Sequence, residues 1–195
     1  MSIPVVKHKQ YLTEDEYLEG EQFADVKHEY IDGRVYAMAG ATSVHNLICL
    51  NMAGITKDSS KSKSCKTYVA DVKIKVGTKY FYPDVMVDCS GEMHNKSLFS
   101  EKPSLIIEVL SDSTRKFDET TKFNAYKNIE SLQEYVLIEQ DFMKIQVHRR
   151  SDNWHSQAYY SGEEVRFESL GLALPIETLY DSIEFEEAEE SDSSE

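Results

Sequence analysis

Three runs rich in β-branched and aromatic residues, TYVADVKIKVG, YFYPDVMVDC and SLIIEVLS, follow one another closely, separated by turn-forming Gly, Ser, Asn and Pro. Parallel strands need a crossover of a dozen or more residues, so this tight spacing favours an antiparallel meander over right-handed βαβ units. Helical patterns flank the three strands. Ser43 is placed to cap a helix over Val44–Lys57 whose Leu47, Ile48, Leu50, Met52 and Ile55 form a broad apolar face. FDETTKFNAYKNI lacks internal Gly and Pro and carries its larger apolar side chains at helical spacing, which predicts a second long helix over Asp118–Asn128. Upstream, Thr13 with Glu16 reads as a capping box for a short helix through Glu19, and HEYIDGRVYAMAG reads as a hairpin turning at Asp32-Gly33. Downstream, EYVLIEQ, KIQVHRR and WHSQAYY read as strands, with VRFESLGLALPIETLYD closing the chain's ordered part. The expected class is mixed α/β: a central sheet flanked by helices, with an N-terminal hairpin and C-terminal strands.

With 195 residues and 41% hydrophobic side chains, the chain suits one domain, expected over 1–183. Residues 184–195, EFEEAEESDSSE, carry seven acids and no base, and are expected to form a disordered acidic tail. They account for half of the formal charge of −14, so the body is only mildly acidic and nucleic-acid binding stays open despite the total. The stretch Lys57–Lys66 holds four lysines and reads as a solvated loop. Cys49, Cys65 and Cys89 are odd in number without CxxC spacing, which fits a reducing compartment better than a disulfide framework and excludes a zinc ribbon. No stretch approaches the roughly 18 apolar residues that span a bilayer, so a soluble cytoplasmic protein that does not engage membranes is expected.

The informative residues are charges inside apolar runs, because a buried charge is costly unless it is paired or bound to a cation. Glu108 interrupts LIIEVL, where alternation sets Ile106, Glu108 and Leu110 on one face and Ile107 and Val109 on the other. Asp84 follows Pro83, which cannot donate to a sheet ladder, so a bend there could aim Asp84 into a cleft. Two carboxylates on neighbouring strands suit a hard divalent cation such as Mg²⁺. Asp118, Lys122 and Tyr126, spaced i, i+4, i+8, share one helix face, which points Lys122 toward the sheet. A lysine above two metal-binding acids can orient a water and stabilise charge on a phosphoryl oxygen, the chemistry of phosphodiester hydrolysis. Simpler roles compete with each assignment: Glu108 paired with Lys73 or Lys75, Asp84 as a turn residue, and Asp118 with Lys122 as a surface pair.

HEYIDGRVYAMAG, His45 at the next helix start, YPDVMVD, PSLIIEVLS, the D-x-x-x-K-x-x-x-Y run from Asp118 to Tyr126, and EYVLIEQ resemble the successive blocks of the Uma-two-type restriction endonuclease family, within the PD-(D/E)XK nuclease superfamily. The resemblance spans roughly residues 11 to 180. It implies a restriction-endonuclease-like core and cleavage of DNA with Mg²⁺ or Mn²⁺, with Asp84 and Glu108 as metal ligands. The superfamily's lysine normally follows its second acid by two positions, where this chain has Leu110; the resemblance implies that Lys122 replaces it. Glu29 corresponds to the acid before the family's D-G turn and becomes the fourth catalytic candidate, while an acid opening a hairpin can also simply be exposed. Tyr126 and Asp118 would hold Lys122, and His45 could contact a phosphate, bond back to the chain or lie exposed. A homodimer is an open possibility.

Neither a G-x-S-x-G elbow nor a P-loop or dinucleotide glycine pattern occurs, which disfavours serine hydrolase and nucleotide-binding classes. The alternative of another class is a catalytically silent nuclease-like module that binds DNA or a protein partner.

Overall fold

The computed structural model describes residues 11–60 and 65–185; the middle of the lysine-rich stretch and all of the acidic tail beyond Phe185 lie outside the described residues. Local chemistry sets the first elements. Thr13 Oγ1 accepts the Glu16 N–H at 3.2 Å while Glu16 Oε2 accepts the Thr13 N–H at 2.8 Å, closing the capping box of α1 (Glu14–Glu21). The hairpin pairs β1 (His28–Ile31) with β2 (Arg34–Ala37), and Asp32 and Gly33 take φ of 48° and 94°, as a two-residue primed turn requires. The helix cap differs from the expectation at Ser43. Helix α2 (Ser43–Ser60) begins with that residue, and Thr42 Oγ1 accepts the His45 N–H at 3.1 Å.

The first two β-rich runs are each broken in the middle. TYVADVKIKVG becomes β3 (Lys66–Val69) and β4 (Lys73–Val76), and YFYPDVMVDC becomes β5 (Lys79–Phe81) and β6 (Val85–Asp88). The breaks align because Pro83 has no N–H to donate and Ala70, at φ 51°, turns its strand away. As a result β4 pairs with β5 in one sheet and β3 with β6 in another. The first sheet has the order β2-β1-β5-β4-β7, where β7 is Phe99–Ser100.

The second sheet has the order β11-β10-β9-β8-β6-β3 and includes β8 (Pro103–Leu110), β9 (Glu134–Glu139), β10 (Lys144–Arg149) and β11 (Ser156–Tyr160). The expected meander is present in β3, β6 and β8, which are successively antiparallel. The parallel β8–β9 pair is joined by a helical crossover over 115–126. That crossover, α3, runs as α-helix over Arg115–Phe117, π-helix over Asp118–Lys122 and α-helix over Phe123–Tyr126, starting earlier and ending sooner than the sequence pattern suggests. A β12 (Glu164–Phe167) and β13 (Leu172–Pro175) pair and a short 3₁₀ turn, Ile176–Tyr180, complete the body.

The alternation of β8 divides the core in two. Leu105, Ile107 and Val109 pack with Ile48 and Met52 of α2, and Ile106 and Leu110 pack with Tyr126 of α3. The second sheet is thus covered by a helix on each face, and Glu108 is turned toward α3. One expectation is corrected at the edge. Cys65 and Cys89 form a disulfide, because the β3–β6 register sets Lys66 opposite Asp88 and brings the residues just beyond them together. The cysteine count therefore gives no support to a reducing compartment. No helix among the described residues is long and apolar enough to cross a membrane.

Candidate active site

The site lies where the two sheets part. A strand break leaves peptide groups without ladder partners, and buried peptide groups must find others. Here the Tyr82 N–H donates to Glu29 Oε1 at 3.3 Å, and the Tyr82 carbonyl accepts from Lys122 Nζ at 3.4 Å. One step along, the Asp84 N–H points to Glu108 Oε2 at 3.4 Å, as expected if the register that sets Val85 opposite Ile107 continues. The Val109 N–H in turn donates to Asp84 Oδ2 at 2.7 Å. Pro83 therefore does more than end a strand: the gap it opens is closed by the candidate side chains.

Lys122 occupies the centre. Its Nζ lies 3.1 Å from Glu108 Oε1, 3.2 Å from Glu29 Oε1 and 3.1 Å from Asp118 Oδ1. All four side chains are buried, as is Tyr126, whose hydroxyl donates to Glu108 Oε1 at 3.2 Å. The π turn serves this arrangement. It leaves the Asp118 carbonyl to accept from the Phe123 N–H and, at 3.0 Å, from the hydroxyl of buried Tyr135. Asp118 Oδ1 is within ion-pair distance of Nζ yet lacks a well-formed hydrogen bond, which leaves a buried oxygen without a hydrogen-bond partner.

The electrostatics follow from crowding. Burial pushes the Glu108 carboxyl well above the usual carboxylate range; Lys122 pulls it back, and Asp118, Asp84 and Glu29 raise it further. Burial likewise raises Glu29 and Asp118 against the opposing pull of Lys122. For Lys122 burial disfavours the ammonium, but Glu108, Glu29 and Asp118 hold it well above the ordinary lysine value. One buried ammonium is left to balance a set of acids that exceeds it in charge.

Asp84 is the more open member. Its carboxylate lies 3.3 Å from His45 Nε2, with side chains 20% and 15% exposed, and forms the solvent-facing side of the cluster. Burial works against a charged His45, but the hydrogen bond and attraction to Asp84, with help from the Val109 backbone, raise the imidazole above its ordinary value. One turn along α2, the Cys49 sulfur sits 3.5 Å from His45 Nδ1.

All the candidates from the sequence, Glu29, His45, Asp84, Glu108, Asp118, Lys122 and Tyr126, therefore meet around one break. The competing pairings of Glu108 do not form: Lys75 pairs with Glu14 at 3.0 Å, and Lys73 lies over the Tyr17 and Tyr82 rings. Asp118 and Lys122 are a buried pair, and Glu29 is buried too. Sequence reasoning missed Cys49 and Tyr135. Cys49 carried a usable signal in its i+4 spacing from His45, whereas Tyr135 is one aromatic among several in a strand.

An all-oxygen pair, Asp84 just before β6 and Glu108 on its antiparallel neighbour β8, with the Asp84 N–H 3.4 Å from Glu108 Oε2, fits a hard divalent cation better than a soft one.

The sequence profile of the Uma2 family, described as "Putative restriction endonuclease", matches residues 14–177. The chain is 30% identical over 178 residues to the uncharacterized protein slr1290 of Synechocystis sp., covering 89% of this chain and 94% of that one. It is 35% identical over 150 residues to sll1609 of the same organism, covering 75% and 85%. Its fold matches the crystal structure of a "putative nuclease belonging to DUF820" from Anabaena variabilis with a TM-score of 0.72 at 20% identity, covering 87% of this chain and 97% of that one. The restriction-endonuclease-like α/β fold expected from the sequence is the fold of this neighbour.

Proposed function

The chain belongs to the Uma2 family, and from that membership and the site's geometry we propose that it is a metal-dependent endonuclease that hydrolyses DNA phosphodiester bonds. The observation that carries the reading is the convergence of Lys122 Nζ, 3.1 Å from Glu108 Oε1, with Asp84, whose own N–H lies 3.4 Å from Glu108 Oε2. Asp84 and Glu108 would hold Mg²⁺ or Mn²⁺, which when bound supplies Lewis-acid stabilisation of charge on the phosphoryl oxygens. Lys122 orients the attacking water and neutralises charge that grows on the phosphate. Glu29 positions that water together with Lys122, while Asp118 and Tyr126 hold the ammonium and the Glu108 carboxylate in place. Because the body is mildly acidic, a two-fold homodimer joining two clefts would supply the grip on DNA that net charge does not.

The test is cleavage of supercoiled plasmid and linear DNA by full-length protein with Mg²⁺ or Mn²⁺, against an EDTA control. Asp84→Asn, Glu108→Gln and Lys122→Met should retain folded circular dichroism spectra and lose at least roughly 100-fold in rate. Wild-type protein that binds DNA but leaves it intact with every divalent ion would replace this reading with the silent binding module.

A further inference from the structure

Cys49 has no part in the proposed cleavage, yet its sulfur faces the site. His45 and Cys49 are spaced i, i+4 on α2 and so share a face, with Nδ1 and Sγ 3.5 Å apart. The break at Pro83 brings Asp84 to the same imidazole from the sheet, 3.3 Å from its other nitrogen, Nε2. One ligand atom from each of His45, Cys49 and Asp84 falls within 4.8 Å of the others, and none of the three residues is exposed. Two rigid elements, a helix and a strand end, therefore present an imidazole, a sulfur and a carboxylate to one small volume.

This donor set differs in kind from the neighbouring Asp84–Glu108 pair. Hard cations such as Mg²⁺ take oxygen and keep most of their water, whereas thiolate and imidazole select borderline-soft ions, which bind in near-tetrahedral sites. Three protein ligands with a fourth position left to water or substrate is a common zinc arrangement. We propose that His45, Cys49 and Asp84 form a second cation site, selective for a divalent ion of the Zn²⁺ class, that shares Asp84 with the hard-cation pair. On binding, the Cys49 thiol releases its proton to solvent and donates a sulfur lone pair to the ion, with no change of oxidation state. Zn²⁺ held here draws the Asp84 carboxylate toward His45 and away from Glu108, so it competes with Mg²⁺ and slows any cleavage that depends on it. Binding itself stands apart from the nuclease reading; only this last consequence rests on it.

The experiment uses full-length protein stripped of metal with EDTA and titrated with Co²⁺ as a spectroscopic probe. Wild type should bind one Co²⁺ with a thiolate-to-cobalt absorption band in the near ultraviolet, bleached by one equivalent of Zn²⁺ and weakened by excess Mg²⁺. Cys49→Ala should lose the band, and His45→Ala should weaken binding by about 10–100-fold or more. Absence of the band in wild type overturns the site. A band that survives Cys49→Ala also overturns it, since the sulfur would then come from elsewhere. If Cys49→Ala does not fold, the wild-type spectrum and the His45→Ala titration decide. These readings need no DNA, so they fail independently of the cleavage assay, and Zn²⁺ binding that leaves the Mg²⁺ requirement untouched would overturn the competition between the two ions.

Discussion

Lys122 and Glu108 meet between α3 and the second sheet, Nζ to Oε1 at 3.1 Å, and this contact brings a helix-borne ammonium to an acid in the middle of a buried strand. A single removal should show what the pair does. Lys122→Met leaves Glu29, Glu108 and Asp118 crowded without their cation, and breaking a buried ion pair from one side costs about 3–5 kcal/mol. Urea unfolding should show a loss of that order at pH 7 and a smaller one at pH 5, where the acids take up protons. Equal losses at the two pH values would contradict an electrostatic origin.

Glu108 gives the complementary result. Its folded value lies well above the ordinary 4.5, so its stabilising contribution is complete below that pH and is lost as pH rises through the folded value. Glu108→Gln removes this dependence. The variant should therefore gain stability relative to wild type as pH is raised from about 4 toward 8, and parallel urea midpoints across that range would exclude the shift.

His148 predicts a slope at the acid side. Burial lowers its value below 6.5, with the Trp154 carbonyl opposing, and the ring packs 4.5 Å from that of Phe123. A lowered base contributes stability that is complete above its unfolded value and is lost as pH falls through the folded one. His148→Phe keeps the aromatic packing without the titration. Melting temperatures of wild type should fall relative to the variant as pH drops from 7.5 to 5, and a constant difference would refute the assignment.

The cap of α2 offers a structural check near the site. Thr42→Ala removes the hydroxyl that accepts the His45 N–H and should cost about 1 kcal/mol, while Ser43→Ala should cost almost nothing. Thermal unfolding of the two variants separates Thr42 from the residue that the sequence pattern favours.

Each element legible in the sequence was legible for a local reason. Alternation set the faces of β8, and the i, i+4, i+8 spacing put Asp118, Lys122 and Tyr126 together on α3 even across a π turn that the pattern does not show. Turn and cap chemistry located α1 and the hairpin. The resemblance to a family then joined Asp84 and Glu108 to Lys122 and Glu29. Pro83 marks its own bend, but the matching break at Ala70 carries no such signal, because an interrupted strand looks continuous until its halves pair with different neighbours.

By itself, then, the sequence determined which way each side chain faces within its own helix or strand, since periodicity and turn chemistry act over a few residues. Only the tertiary structure decided that the Tyr82 peptide would be satisfied by Glu29 and Lys122, that Cys65 would bond to Cys89, and that Asp84 would meet the His45–Cys49 face of α2. Those contacts depend on strand register and on which helix covers which face of the sheet. Both are set by packing between segments far apart in the chain, and no local pattern encodes them.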